Sequence, residues 1–362
     1  MRETPASVGE SSPSATSPAV GPHPSSRLHR LGPALVLAVL APVVAELLFG
    51  ATPITNPGAF LPDLAVYGGG ALLIREVVRR RSLGWASIIV LGVVFGIVEE
   101  GLALESLFNP DLFNAGALGG RVLGVNWVWT QWTLGYHAIW SISIPILLAE
   151  LLFPARRGRS WLGTTGLIVA AAAYVCGVAV LAAIFRFVVA ADFAASPIAL
   201  AIASLVAALL VLLALRWQWS PVDTARPQPA RDVPSPVRVG LLAFVAAAAW
   251  FLPLVDLPQR LRAGGWVLVP MIVALVVAAI AARLIARWAI TGKAWSDVHR
   301  LALAIGALLV SMLYGFFYVT SGNAVDQAGQ AVASIVALTL LALFARTLSQ
   351  RGVAESHPTH EP

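Results

Sequence analysis

Glu99 and Glu100 stand side by side inside the apolar stretch LGWASIIVLGVVFGIVEEGLAL. A carboxylate in hydrocarbon costs several kcal/mol unless it is protonated, paired or wetted, so an intramembrane acid is a functional-site candidate by default. The next apolar segment carries His137, the only histidine inside an expected span. Two neighbouring carboxylates cannot both ionise cheaply in a low dielectric, which favours a shared proton. With an imidazole beside them, the chemistry on offer is general acid–base work. The group could activate a water or carry protons. Glu99, Glu100 and His137 are therefore the candidate catalytic residues, with Glu46 of the first apolar segment as an auxiliary acid.

The elements around them follow from helical periodicity. Gly92 and Gly96 form a GxxxG pair, which lets a second helix approach closely. At 100° per residue, Glu99 lies about 20° and Glu100 about 80° from Gly92, so both flank a packed face rather than lipid. Counting from Gly84, Glu100 sits about 24 Å along its helix, in the outer half of a membrane. Asn126, Thr130, Thr133, His137 and Ser141 make a polar stripe at spacings of 4, 3, 4 and 4, suited to a water-accessible groove or to interhelical hydrogen bonds. His137 is about 16 Å below Asn126, and Glu46 is about 20 Å from the inner face. Trp127, Trp129 and Trp132 read as an outer aromatic belt. The loop Ser106–Val125 lies outside above the carboxylates, as a plain connection or as a lid. Glu105 is expected to face outer water, and Glu150 to pair with Arg156 and Arg157. Arg75, Glu76, Arg79 and Arg80 should form a snorkelling inner rim with an i,i+4 pair from Glu76 to Arg80.

The chain has 362 residues, 58% hydrophobic and 12% charged, with a mean hydropathy of +0.81. Soluble domains have roughly 25% charged residues, so the fold class is an all-α polytopic transmembrane bundle. Ten segments are long and apolar enough to span: about 32–50, 61–79, 84–105, 125–153, 161–187, 197–217, 238–255, 265–288, 301–320 and 328–346. With the N-terminus inside, 20 of the 24 Lys and Arg residues fall on the inner side and 4 on the outer. That asymmetry supports ten spans with both termini cytoplasmic. The net charge of +6 is spread over short loops, where it signals topology rather than nucleic-acid binding. Residues 1–26 read as a disordered tail without a signal-peptide core. A six-span bundle over 27–217 would hold the site in spans 1–4. A Pro-rich cytoplasmic linker follows at 218–237, then a four-span bundle over 238–346 and a disordered tail over 347–362. The lone Cys176 forms no intrachain disulfide.

There is no HExxH, P-loop or GxSxG, so the sequence implies no cofactor and no metal. The order Glu-Glu in one span and His in the next resembles the CAAX-protease and bacteriocin-processing family of intramembrane proteases. In that family EExxxR, FxxxH and HxxxN or HxxxD motifs carry the site. Glu99-Glu100 and His137 match its first acids and first histidine, and the resemblance implies that they activate an attacking water. Leu104 stands at the motif-1 arginine, Thr133 at the motif-2 phenylalanine, and spans 5 to 9 contain no histidine. The segment VEEGLALESLFNP also looks like that of an uncharacterised prokaryotic membrane-protein family. Ala- and Arg-rich composition suggests a high-GC bacterium and its cytoplasmic membrane. The function favoured is an intramembrane protease or hydrolase, with a membrane-embedded peptide or small molecule as substrate; the alternatives are a proton-coupled transporter or permease and a non-catalytic membrane partner.

Overall fold

The computed structural model describes residues 27–216, 232–255, 264–292 and 294–356. These fold almost wholly into ten helices. We label them α1 (Leu31–Leu47), α2 (Pro57–Arg80), α3 (Trp85–Ala103), α4 (Trp127–Leu152) and α5 (Thr164–Val189). They continue as α6 (Pro197–Arg216), α7 (Pro236–Val255), α8 (Leu268–Ile290), α9 (Asp297–Val319) and α10 (Ala324–Ser356). Among the described residues, nine are long and apolar enough to cross a membrane, and the apolar part of α1 is shorter. The only strands there are β1 (Arg121–Val122) and β2 (Val125–Asn126), an antiparallel pair in the α3–α4 loop. The molecule is an all-α polytopic bundle.

Burial ranks the helices. In α4, 78% of the apolar window is inside the protein, against 11% in α5, α6 and α8 and 6% in α10. The central helix is therefore α4, while the outer helices turn Leu, Ile and Val outward, as lipid solvation permits. One apolar core joins α1–α4 through Leu37, Ala41, Val66, Ile88, Phe95, Ile142 and Ile146. A second, aromatic core contains Phe49, Trp132, Tyr136, Trp140, Trp250 and Phe251, and joins α1 and α4 to α7–α10. Trp140 Nε1 donates to the Ala307 carbonyl at 3.0 Å. The six-plus-four division of the sequence is thus not a division of the packing. Of the linker, residues 217–231 lie outside the described part, and α7 already begins at Pro236.

Glycines set the closest approaches. A Cβ on Gly92 would come 2.7 Å from Ala138 Cα, and one on Gly96 3.2 Å from His137 Cβ. The helix that GxxxG admits is therefore the one carrying the histidine. Gly68 lies against Ala38 of α1, and Gly70 against Phe95 of α3, so YGGG lets α2 wedge between them. Gly92→Leu should push α3 off α4 and lower stability by about 1–3 kcal/mol. Thermal unfolding in nanodiscs checks this, and an unchanged midpoint would mean that the two backbones do not need that contact.

Several expectations are corrected by the packing. Arg75 and Glu76 do not snorkel: both are fully buried. Arg75 contacts Glu76 at 2.8 Å and Glu150 at 3.3 Å, and its guanidinium covers the Trp161 ring at 3.4 Å. The i,i+4 contact of Glu76 with Arg80 is present at 3.5 Å. Glu150 pairs with Arg75 and Arg79 rather than with Arg156 and Arg157, because α2 packs beside α4 and delivers its arginines first. Arg157 reaches Asp297 of α9 instead, at 2.6 Å. Trp132 belongs to the aromatic core, and of the three belt tryptophans only Trp127 is exposed. The α9 helix begins at Asp297, so His299 lies in its first turn, where it forms a capping box with Ser296. The last helix continues past Arg346 to Ser356, where a disordered tail was expected. Residues 1–26 and 357–362 lie outside the described part.

Candidate functional site

Every predicted acid–base residue sits on a π-helical turn. Glu46 lies in Val43–Leu47, Glu99 and Glu100 in Ile97–Ala103, and His137 and Ser141 in His137–Ser143. Tyr67, which the sequence did not single out, lies in a fourth such turn, Leu64–Gly68. A π turn holds one residue more than an α turn, and such bulges are common at functional sites.

The four turns face one another. His137 Nε2 is 3.2 Å from Glu100 Oε1, and His137 Nδ1 is 3.1 Å from Ser141 Oγ and 3.5 Å from Glu99 Oε2. As imidazolium, the ring donates at both nitrogens; as neutral imidazole with the proton on Nε2, Nδ1 accepts from Ser141. Phe95 and Tyr67 flank the ring at centroid distances of 5.6 and 6.2 Å and fix its plane. The Tyr67 hydroxyl lies 2.5 Å from Glu99 Oε1 and 2.6 Å from Glu46 Oε1. Glu46 Oε2 in turn accepts from the Thr52 hydroxyl at 3.1 Å, and Thr52 lies 2.7 Å from Asp63 Oδ2. At the other end Ser106 bonds to Glu100 Oε2, and Trp129 Nε1 donates to Ser106 Oγ at 2.9 Å. The result is two hydrogen-bonded runs, Asp63–Thr52–Glu46–Tyr67–Glu99 and His137–Glu100–Ser106, which meet at the 3.5 Å contact of His137 Nδ1 with Glu99 Oε2.

Proton counting constrains the first run. A hydroxyl has one proton to give. Tyr67 touches two carboxyls, so when it donates to one, the other must donate to it or be left facing a lone pair. Thr52 poses the same condition between Glu46 and Asp63. The geometry is therefore fully bonded only when the acids carry protons of their own. Glu99, Glu100 and His137 are all buried, and Glu99 Oε2 has no hydrogen-bond partner among the described residues.

The rest of the expected stripe serves local structure. Thr130 and Thr133 donate to carbonyls four residues back in their own helix. Asn126 donates to the carbonyls of Ser106 and Asn109 and accepts from Arg121, which pins the loop that supplies Ser106. That loop is thus more than a connection, since it closes over Glu100. Glu105 is not left to water: its carboxylate accepts from the Ala195 N–H at 2.6 Å. Thr52, Asp63, Tyr67, Ser106 and Trp129 are absent from the sequence-derived site. The available signals were Tyr67, a polar-tipped residue beside three glycines in an apolar span, and Ser106, six positions after Glu100. Among the described residues, no group of three or more His, Cys, Asp or Glu side chains is placed to hold a metal ion.

No curated protein and no solved structure matches this chain, and nothing found supports the likeness to the CAAX-protease family. The model of an uncharacterised membrane protein family matches residues 35–355. That range runs from within α1 almost to the end of α10 and takes in every residue of the two hydrogen-bonded runs. The protein belongs to that uncharacterised membrane protein family.

Proposed function

We propose that the buried network binds and passes protons, and that the protein is a proton-coupled transporter or permease in the cytoplasmic membrane of a bacterium, with both termini in the cytoplasm. The observation that carries this reading is the run of side-chain hydrogen bonds from Asp63 to Glu99, which meets the His137–Glu100–Ser106 run at a 3.5 Å contact. Both oxygens of Glu100 are engaged by protein groups, as is Glu99 Oε1. Those engaged oxygens suit a proton relay, whereas a base for water activation needs a free oxygen and room for the water.

A hydrolase reading has one observation in its favour. Glu99 Oε2 is unpartnered and lies 3.5 Å from His137 Nδ1, so one carboxylate oxygen is left to accept from a water. Glu100 would then be general base, Glu99 would adjust it and His137 would orient the water.

Electrometry on proteoliposomes separates the two. Under pH jumps the wild type should give transient charge movement, and adding a coupled solute should convert it to steady current. Glu99→Gln and Glu100→Gln should each slow or abolish the transient by about 100-fold or more, the scale of a lost proton-transfer group. A wild type that is electrically silent would overturn the transport reading. Silence accompanied by cleavage of a membrane-embedded reporter peptide, lost in Glu100→Gln, would select the hydrolase.

A further inference from the structure

We infer that Asp63 and Thr52 form the port through which a proton enters the buried network and reaches Glu99. The inference rests on the proton-handling reading above. Asp63 and Glu46 are both half-buried, but Glu46 has both oxygens engaged, by Tyr67 and Thr52, whereas among the described residues Asp63 is bonded through Oδ2 alone, to Thr52. Asp63 stands nearly two turns into α2, towards the helix end opposite Arg79, Arg80 and Arg81, on the side that the basic residues mark as external. Thr52 is itself buried, and among the described residues its hydroxyl bonds to these two carboxyls, at 2.7 and 3.1 Å. Its loop is clamped from the far side, because Asp326 of α10 accepts from both the N–H and the hydroxyl of Thr55 at 3.0 Å. At the inner end of the path waits the buried and unpartnered Glu99 Oε2.

The transfer balances one proton at a time. A proton arriving on Asp63 Oδ2 passes to Thr52 Oγ as Thr52 gives its own to Glu46 Oε2. Glu46 releases the proton it held on Oε1 to Tyr67, and Tyr67 gives its own to Glu99 Oε1. Asp63 returns to carboxylate, Glu99 becomes a carboxylic acid, and each hydroxyl ends with the proton count it began with. Rotation of the Glu46 carboxyl group and of the Thr52 and Tyr67 hydroxyls resets the relay.

The test is rapid-mixing infrared spectroscopy on the full chain in nanodiscs, moved from H2O to D2O. The readout is the carbonyl stretch of protonated Glu99, identified by its loss in Glu99→Gln. Asp63→Asn and Thr52→Val should each delay its deuterium shift by about 100-fold, and Thr52→Ser should restore the wild-type rate. A structural role alone would lower the unfolding midpoint of Thr52→Val without changing the exchange rate. Wild-type exchange in both Asp63→Asn and Thr52→Val would overturn the port and leave the proton-handling reading standing. A wild type with no Glu99 acid band at any pH would overturn both.

Discussion

Arg75→Ala should cost about 3–5 kcal/mol of stability, the penalty for leaving buried carboxylates without their cation. Arg75 is fully buried and serves five groups at once. These are the carboxylates of Glu76 and Glu150, the carbonyls of Arg156 and Arg157 at 3.3 and 2.9 Å, and the Trp161 ring. Glu76 also accepts the backbone N–H groups of Trp161 and Leu162, so the α4–α5 loop is built around this pair. A lysine cannot replace it, because only the planar fork offers five donors in fixed directions. Thermal or denaturant unfolding in nanodiscs measures the loss. Combining Arg75→Ala with Glu150→Gln should recover part of it, since the two changes share one network. A variant as stable as wild type would mean that the cluster is wetted rather than buried.

Tyr67→Phe should break the relay while keeping the fold. The phenyl ring preserves the contacts with Phe95 and His137, and only the hydroxyl between Glu46 and Glu99 is removed. Charge movement after a pH jump should then slow by about 100-fold, and the infrared band of Glu99 should shift as it loses its donor. The unfolding midpoint should fall only modestly, by the roughly 1–3 kcal/mol of one unsatisfied buried group. Unchanged charge movement would show that Glu46 and Glu99 act independently.

The helical bundle was legible because hydrocarbon demands long apolar helices and tolerates little else. Nine of the ten expected segments match helices that are long and apolar enough to span, and the first falls short in apolar length. The Glu99, Glu100 and His137 encounter was partly legible, since Gly92 and Gly96 mark the face that α4 meets. The inner ion cluster was misread, because hydropathy cannot say which neighbour a cation will find. Glu150 had Arg156 and Arg157 near in sequence, but α2 brought Arg75 and Arg79 nearer in space. Tyr67, Thr52 and Asp63 were missed for the same reason. Their partners lie on other segments, and no local pattern of residues announces a hydroxyl between two acids.

The widened turn at Ile97–Ala103 has a mechanical side. If that turn tightened to ordinary α geometry, the excess residue would have to leave it, and side chains beyond would swing by about 100°, the angle of one helical step. Glu99 and Glu100 are separated by one such step. A single slip of the screw would therefore carry Glu100 to the bearing that Glu99 now holds, taking it away from Ser106 and towards Tyr67. After such a slip the adjacent acids would act as two teeth of one ratchet.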